Sequence, residues 1–110
     1  MDTNDALNAF SALSQPTRLE VFRLLIKVGS DGLAAGEIGS RLGILQNTLS
    51  TNLNILAQAR LVTRTREGRS VKYSANFDGI RDLLAFLMQD CCGGNAELCA
   101  PLIEQIACPC

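Results

Sequence analysis

Residues 34–58 constrain the fold of this chain more than any other stretch. "AAGEIGSRLG" (34–43) reads as a short helix with Ile38 and Leu42 turned inward, and Gly43 is a natural C-terminal stop. Only Ile44 and Leu45 separate it from "QNTLSTNLNILAQARLV", where Leu49, Leu53 and Leu56 share one helical face and Ile55 broadens it. A helix, a tight Gly-containing turn and a second helix make the helix-turn-helix pattern.

The flanking segments extend this pattern. Residues 3–13 place Ala6, Phe10 and Leu13 on one helical stripe. "SQPTRLEVFRLLIK" follows, with Ser14 as N-cap and Pro16 in the first turn, where its missing N–H costs nothing. Leu19, Phe22, Leu25 and Ile26 supply its apolar face, and "GSDG" at 29–32 ends it. Beyond the central helices, Leu61–Arg66 and Val71–Ala75 alternate as two strands around "EGRS", a hairpin with Gly at its tip. A last helix over 78–90 carries Ile80, Leu83, Leu84 and Leu87 on one face, and Phe86 and Met88 widen its apolar surface. The order α-α-α-α-β-β-α, mainly helical with a β-hairpin wing, describes a winged helix-turn-helix over residues 1–90, followed by a cysteine-rich tail at 91–110.

The second helix of the central pair is unusual in its surface. Gln46, Asn47, Thr48, Ser50, Thr51, Asn52 and Asn54 surround its leucines. Asn and Thr are indifferent helix formers, and an ordinary solvated helix would use Glu, Lys and Arg instead. Asn and Gln can pair bidentately with adenine in the major groove, and Ser and Thr reach bases, phosphates or thymine methyls. The hairpin adds Arg64, Arg66, Arg69 and Lys72 around its turn, a shape suited to duplex backbone or minor groove. The net charge of −1 conceals a balance of +5 over residues 41–72, between acidic flanks of −2 and −4. A basic middle between acidic ends is the footprint of a face that meets phosphates. Double-stranded operator DNA is therefore the expected partner. A homodimer reading two half-sites is the expected assembly, with Phe10, Leu13, Leu83, Phe86 and Leu87 at its seam.

Other classes are disfavoured. Histidine is absent, which removes His general bases, His metal sites and His-activated nucleophiles, and no acid–base pair or phosphate loop is visible, so an enzyme is not expected. Aromatic residues make up only 5%, too few for a single-strand stacking platform. No apolar run approaches the roughly 20 residues of a membrane span. The acidic "MDTNDALNAF" lacks the features of a signal peptide, so the expected location is the cytoplasm.

"ALSQPTRLEVFRLLI", "GLAAGEIGSRLG", "QNTLSTNLNILAQARLV" and "REGRSVKYS" together resemble the ArsR/SmtB family of metal- and metalloid-responsive repressors, in family order and spacing over nearly all of residues 5–90. The resemblance implies a dimeric winged-helix repressor that leaves its operator when an inducer binds. It places the recognition helix from near Gln46 and the wing at 64–72. The chain departs from the family in three places. "RLGILQNTL" has no cysteine where some members carry a cysteine motif, no histidine is available for a zinc site on the last helix, and Asn52 stands where a His is usual.

Sensing is thereby left to the tail, where all five cysteines fall in the last twenty positions. Disulfide staples are disfavoured in a reducing compartment, and Cys91 and Cys92 are adjacent. The Cys-x₂₋₄-Cys spacing of structural zinc is missing. Cys91, Cys92 and Cys99, hinged at Gly93-Gly94, suit an ion that takes three sulfurs, and trivalent arsenic, with antimony as a second case, is such an ion. The family resemblance points the same way. Cys108 and Cys110 are secondary candidates, and Cys108 also suits an apolar role beside Ile103, Ile106 and Ala107. Two further readings stay open: a repressor that responds to thiol oxidation, persulfides or another soft metal, and a metalloid buffer that does not bind DNA.

Overall fold

The computed structural model describes residues 1–106, apart from the side chains of Cys91, Cys92 and Ala96; residues 107–110 lie outside the described part. Helix α1 (Thr3–Leu13) begins at a reciprocal cap, in which the Asp5 amide donates to Asp2 Oδ1 at 2.8 Å and the Asp2 amide donates to Asp5 Oδ2 at 3.4 Å. Its buried stripe is Ala6, Ala9 and Ala12 rather than the expected Ala6, Phe10 and Leu13. Small side chains let α1 approach its neighbours closely, so Leu13 is only half-buried and Phe10 is left exposed.

Helix α2 (Pro16–Val28) has Pro in its first turn, as the sequence suggests, but Gln15 is the N-cap, not Ser14. The Gln15 Oε1 accepts from the Arg18 amide at 2.8 Å, while Ser14 closes the end of α1. Val21 and Leu25 are its buried residues, with Phe22 half-buried and Leu19 and Ile26 exposed. The apolar stripe is thus rotated from the one expected.

Strand β1 (Leu33–Ala34) leads directly into helix α3 (Ala35–Leu42), which ends at Gly43 in the left-handed conformation. Helix α4 (Gln46–Gln58) follows, then strands β2 (Val62–Glu67) and β3 (Ser70–Ala75). The strands form a three-stranded antiparallel sheet in the order β1-β3-β2. Within the two-residue hairpin loop only Gly68 has a positive φ, at 62°, the pattern of a type II′ turn. Strand β1 does not emerge from the sequence, because two residues are too short to show a period of two.

Helix α5 (Phe77–Leu87) is capped by Asn76, whose Oδ1 accepts from the Gly79 amide at 3.1 Å and whose Nδ2 donates to the Arg60 carbonyl at 2.9 Å. One side chain thus starts α5 and ties it to the turn after α4. A short 3-10 turn (Cys91–Gly94) then leads into helix α6 (Ala96–Ile106). The tail is therefore largely helical, which its sequence does not signal. Pro101, in the middle of α6, reads as a helix breaker and masks the stripe Leu98, Leu102 and Ile106. The main core joins Val21, Leu25, Ile38, Leu49, Leu53, Leu56 and Leu61, with Leu83 reaching in from α5.

Gly32 has a φ of +69°, and a Cβ there would lie 2.5 Å from the Tyr73 carbonyl oxygen across the β1–β3 pair. Gly32→Ala should therefore cost about 2 kcal/mol or more, read as a lower urea midpoint at unchanged m-value.

Candidate nucleic-acid interface and cysteine tail

The turn between α3 and α4 sets how α4 is presented. The Ile44 amide donates to the Gly39 carbonyl at 3.0 Å, and Gln46 Nε2 donates to the Ala35 carbonyl at 3.3 Å. Gln46 therefore ties the first turn of α4 to the first turn of α3. Leu49, Leu53 and Leu56 anchor the helix in the core. Its outer surface presents Gln46, Asn47, Thr48, Ser50, Thr51 and Asn54, all exposed and uncharged. Thr51 Oγ1 donates to the Asn47 carbonyl at 3.2 Å, leaving its lone pairs and methyl group to face outward contacts.

Asn52 does not join this surface. It is 7% exposed, and its Oδ1 accepts from Arg18 Nη1 at 3.1 Å. Arg18 Nε also donates to the Ala12 carbonyl at 2.6 Å. The residue expected to read DNA is instead an internal fastening between α4, α2 and the end of α1. Helical position explains this: Asn52 directly precedes Leu53 and follows Leu49 by three, so it borders the buried stripe. Arg18 gives no sign of this role in the sequence, because an Arg in a first helical turn normally reads as solvated surface.

The wing's cations are divided between two faces. The pairing of Arg64 with Tyr73 and Arg66 with Val71 puts both arginines on the face that, nearer the base of the hairpin, carries Val62 and Ala75 into the core. Lys72 pairs with Thr65 on the opposite face, where its Nζ lies 3.8 Å from Glu67 Oε2. Arg41 and Arg60 also have acidic neighbours, Glu37 at 2.8 Å and Asp5 at 4.0 Å. Among the described residues, Arg64, Arg66 and Arg69 take part in no ion pair, and all three are exposed. Arg66 Nε instead makes a weak 3.4 Å hydrogen bond to the Gly68 carbonyl. Three unneutralised guanidinium groups beside an uncharged polar helix form a surface suited to a polyanion with readable edges.

Of the residues expected at a dimer seam, Phe10 and Leu87 are exposed and Leu13 and Phe86 half-buried, whereas Leu83 is 6% exposed. Leu83 belongs to the monomer core, because it is buried in the same cluster as residues of α1, α2 and α4.

Cys99, on α6, is 5% exposed and disulfide-bonded, contrary to the expectation that staples are absent from the tail. The side chains of Cys91 and Cys92, and all of Cys108 and Cys110, lie outside the described residues. The 3-10 turn that carries Cys91 and Cys92 runs into α6 after one residue, so the segments that hold the expected triad are neighbours along the chain. Among the described residues no group of three or more potential metal ligands is assembled. As a disulfide, the Cys99 sulfur has no thiolate to offer an ion, so coordination there requires the reduced chain.

Among the described residues no helix is long and apolar enough to cross a membrane. The tight α3–α4 turn, the polar outer side of α4 and the arginine-bearing hairpin define a winged helix-turn-helix DNA-binding protein. A family model described as a helix-turn-helix domain matches residues 13–65. The transcriptional repressor SdpR of Bacillus subtilis is 33% identical over 91 residues, covering 83% of this chain and 98% of the relative. An ArsR-like transcriptional regulator from Rhodococcus sp. RHA1 superposes with a TM-score of 0.71 at 25% identity, covering 97% of this chain and 96% of that one. The homodimeric winged helix-turn-helix DNA-binding domain of Mb0332 from Mycobacterium bovis gives 0.64 at 27% identity, covering 77% of each chain. The chain belongs to the ArsR/SmtB family of winged-helix transcriptional repressors.

Removing the internal fastening should loosen the core and the seating of α4. Arg18→Met leaves the Asn52 amide and the Ala12 carbonyl without their donor and should cost about 1–3 kcal/mol. A double-mutant cycle with Asn52→Leu should recover part of that loss, measured by urea unfolding.

Proposed function

We propose that this protein represses transcription as a homodimer on operator DNA and is released when a thiophilic inducer engages its cysteine tail, with As(III) the first candidate and Sb(III) the second. The exposed, uncharged polar face of α4 beside the unpaired Arg64, Arg66 and Arg69 carries the DNA-binding part. Gln46, Asn47, Thr48, Ser50 and Thr51 meet base edges and phosphates, with the wing on the backbone of the adjacent groove. A two-fold dimer sets the two copies of α4 one DNA turn apart, the geometry that makes half-site spacing specific. The homodimeric Mycobacterium bovis relative supports a dimeric assembly, and in this reading Phe10, Leu13, Phe86 and Leu87 form the seam.

Reduced Cys91, Cys92 and Cys99 would hold the inducer, each offering one thiolate sulfur to a trivalent thiophilic ion, and such a link would join the 3-10 turn to α6. The tail begins just after α5, so closing this loop strains the seam on which the spacing of the two α4 helices depends. By linkage, arsenite weakens DNA binding only as much as DNA weakens arsenite binding, about 1–3 kcal/mol.

The disulfide at Cys99 favours a second reading, in which oxidation is the signal. Two tail thiols give up two electrons and two protons to a peroxide, which becomes two waters, and the resulting S–S bond fixes α6 covalently through Cys99.

Operator release followed by fluorescence anisotropy separates the two. Under a thiol-free phosphine reductant, As(III) should release the protein from DNA, and Cys91→Ser, Cys92→Ser and Cys99→Ser should each abolish release. Release by peroxide alone, reversed by dithiothreitol and unaffected by arsenite, would replace the metalloid reading with the redox one. Arg64→Ala and Arg66→Ala should each lower the slope of log K against log salt by about 1, and Lys72→Ala by less, because Glu67 already neutralises Lys72.

A further inference from the structure

None of the 13 residues of α4 is charged. The commonest specific contact in the major groove runs from Arg or Lys to the O6 and N7 acceptors of guanine, and α4 has neither residue. Bonds inside the protein restrict its chemistry further. Gln46 has the longest side chain in the exposed first turn, but its Nε2 donates to the Ala35 carbonyl at 3.3 Å. That amide lies over the buried Gly39, where a Cβ would collide with Gln46 Nε2. Gln46 is therefore a clasp of the α3–α4 turn, held against α3, and cannot set donor and acceptor side by side on a base.

Asn47, Ser50, Thr51 and Asn54 remain, all exposed and spaced three and four apart along one face. From Asn47 to Asn54 the helix rises about 10 Å, the length of three base-pair steps. Among the described residues the Asn47 side-chain amide has no hydrogen-bond partner. A primary amide offers one acceptor beside one donor, which adenine answers with N6–H and N7. Guanine, with two acceptors on that edge, satisfies only half of the pattern. Thr51 Oγ1 gives its hydrogen to the Asn47 carbonyl at 3.2 Å. It has no donor left for guanine, while its methyl group matches the C5-methyl of thymine. One helical turn separates the two side chains, so their contacts fall about two base pairs apart.

We propose that α4 reads A·T pairs: Asn47 takes the N6 and N7 edge of an adenine, and Thr51 sets its methyl against that of a thymine, in each operator half-site. This rests on the operator-binding reading. The exposed Arg64, Arg66 and Arg69 favour the same composition, because the narrow minor groove of A·T runs concentrates negative potential.

Selection from a random duplex library with the full-length protein, followed by fluorescence anisotropy on the enriched duplex, tests the proposal. The half-sites should carry A·T pairs where α4 meets the major groove. Adenines are then replaced one at a time by 7-deazaadenine, and thymines by uracil, edits that leave the minor groove unchanged. At one adenine per half-site, loss of N7 should weaken wild-type binding at least about fivefold, and Asn47→Ala should erase that penalty. At one thymine, loss of the methyl should cost about fourfold, and Thr51→Ser, which keeps the hydroxyl, should erase it. Gln46→Ala should weaken every duplex alike and leave the 7-deazaadenine penalty in place. Half-sites enriched in G·C under α4 would overturn the proposal and leave the repressor reading standing. So would a 7-deazaadenine penalty that persists in Asn47→Ala. Binding with no enriched sequence would overturn both.

Discussion

The placement of the DNA-facing helix depends on Arg18. Its guanidinium donates to the Ala12 carbonyl at the end of α1 and to Asn52 on α4, while its own amide is held by Gln15. Three helices meet at one cation. A partly buried guanidinium is stable only when its donors are used, and its planar fork fixes direction as well as distance. The buried Asn52 amide has the complementary need, since an unpartnered amide in the core costs as much as a well-packed methylene cluster returns. Among the described residues no buried side-chain polar atom lacks a partner. The leucines of α4 supply the attraction, and the Arg18–Asn52 contact selects which rotation of the helix satisfies it. That rotation leaves the Gln, Asn, Ser and Thr side chains on the outside.

Recognition and attraction are assigned to different elements. Helix α4 has no charged side chain, so its outer face reads hydrogen-bonding edges without strong electrostatic bias. The exposed arginines lie on the hairpin, where the sheet order β1-β3-β2 secures β3 on both sides and lets β2 form the outer edge. Pairing of Lys72 with Glu67 confines much of the free positive charge to Arg64, Arg66 and Arg69. A chain of net charge −1 can therefore present a local polycationic surface, because the field near a phosphate depends on nearby charges and salt screens those beyond about 10 Å.

The tail completes the proposed mechanism. Cys99 faces inward from α6 while Ile103 and Ile106, farther along the helix, face a groove beside α5. A covalent or coordinate link at Cys99 thus acts on a helix whose apolar residues border the proposed seam. Coupling between inducer and operator needs only a small change in that packing, since packed interfaces switch between discrete arrangements and do not deform continuously.

Much of this was legible in the chain alone. The Gly43 stop, the two-residue connection before Gln46, the leucine period of α4 and the Gly at the hairpin tip each carry a local physical signal, and local signals survive in a linear sequence. The structure decided what depends on distant neighbours. Asn52 can stay buried because Arg18, 34 positions away, donates to it. Leu83 belongs to the core and not the seam, and Lys72 is separated from Arg64 and Arg66 by strand register. Strand β1 exists only because β3 lies beside it. Helix α6 forms despite Pro101. Sequence by itself determined the order of the first five helices and the hairpin and the chemistry of their surfaces, because periodicity and caps are short-range. Only the tertiary structure decided which polar groups are spent inside, because a buried donor must find its acceptor wherever the chain has folded it.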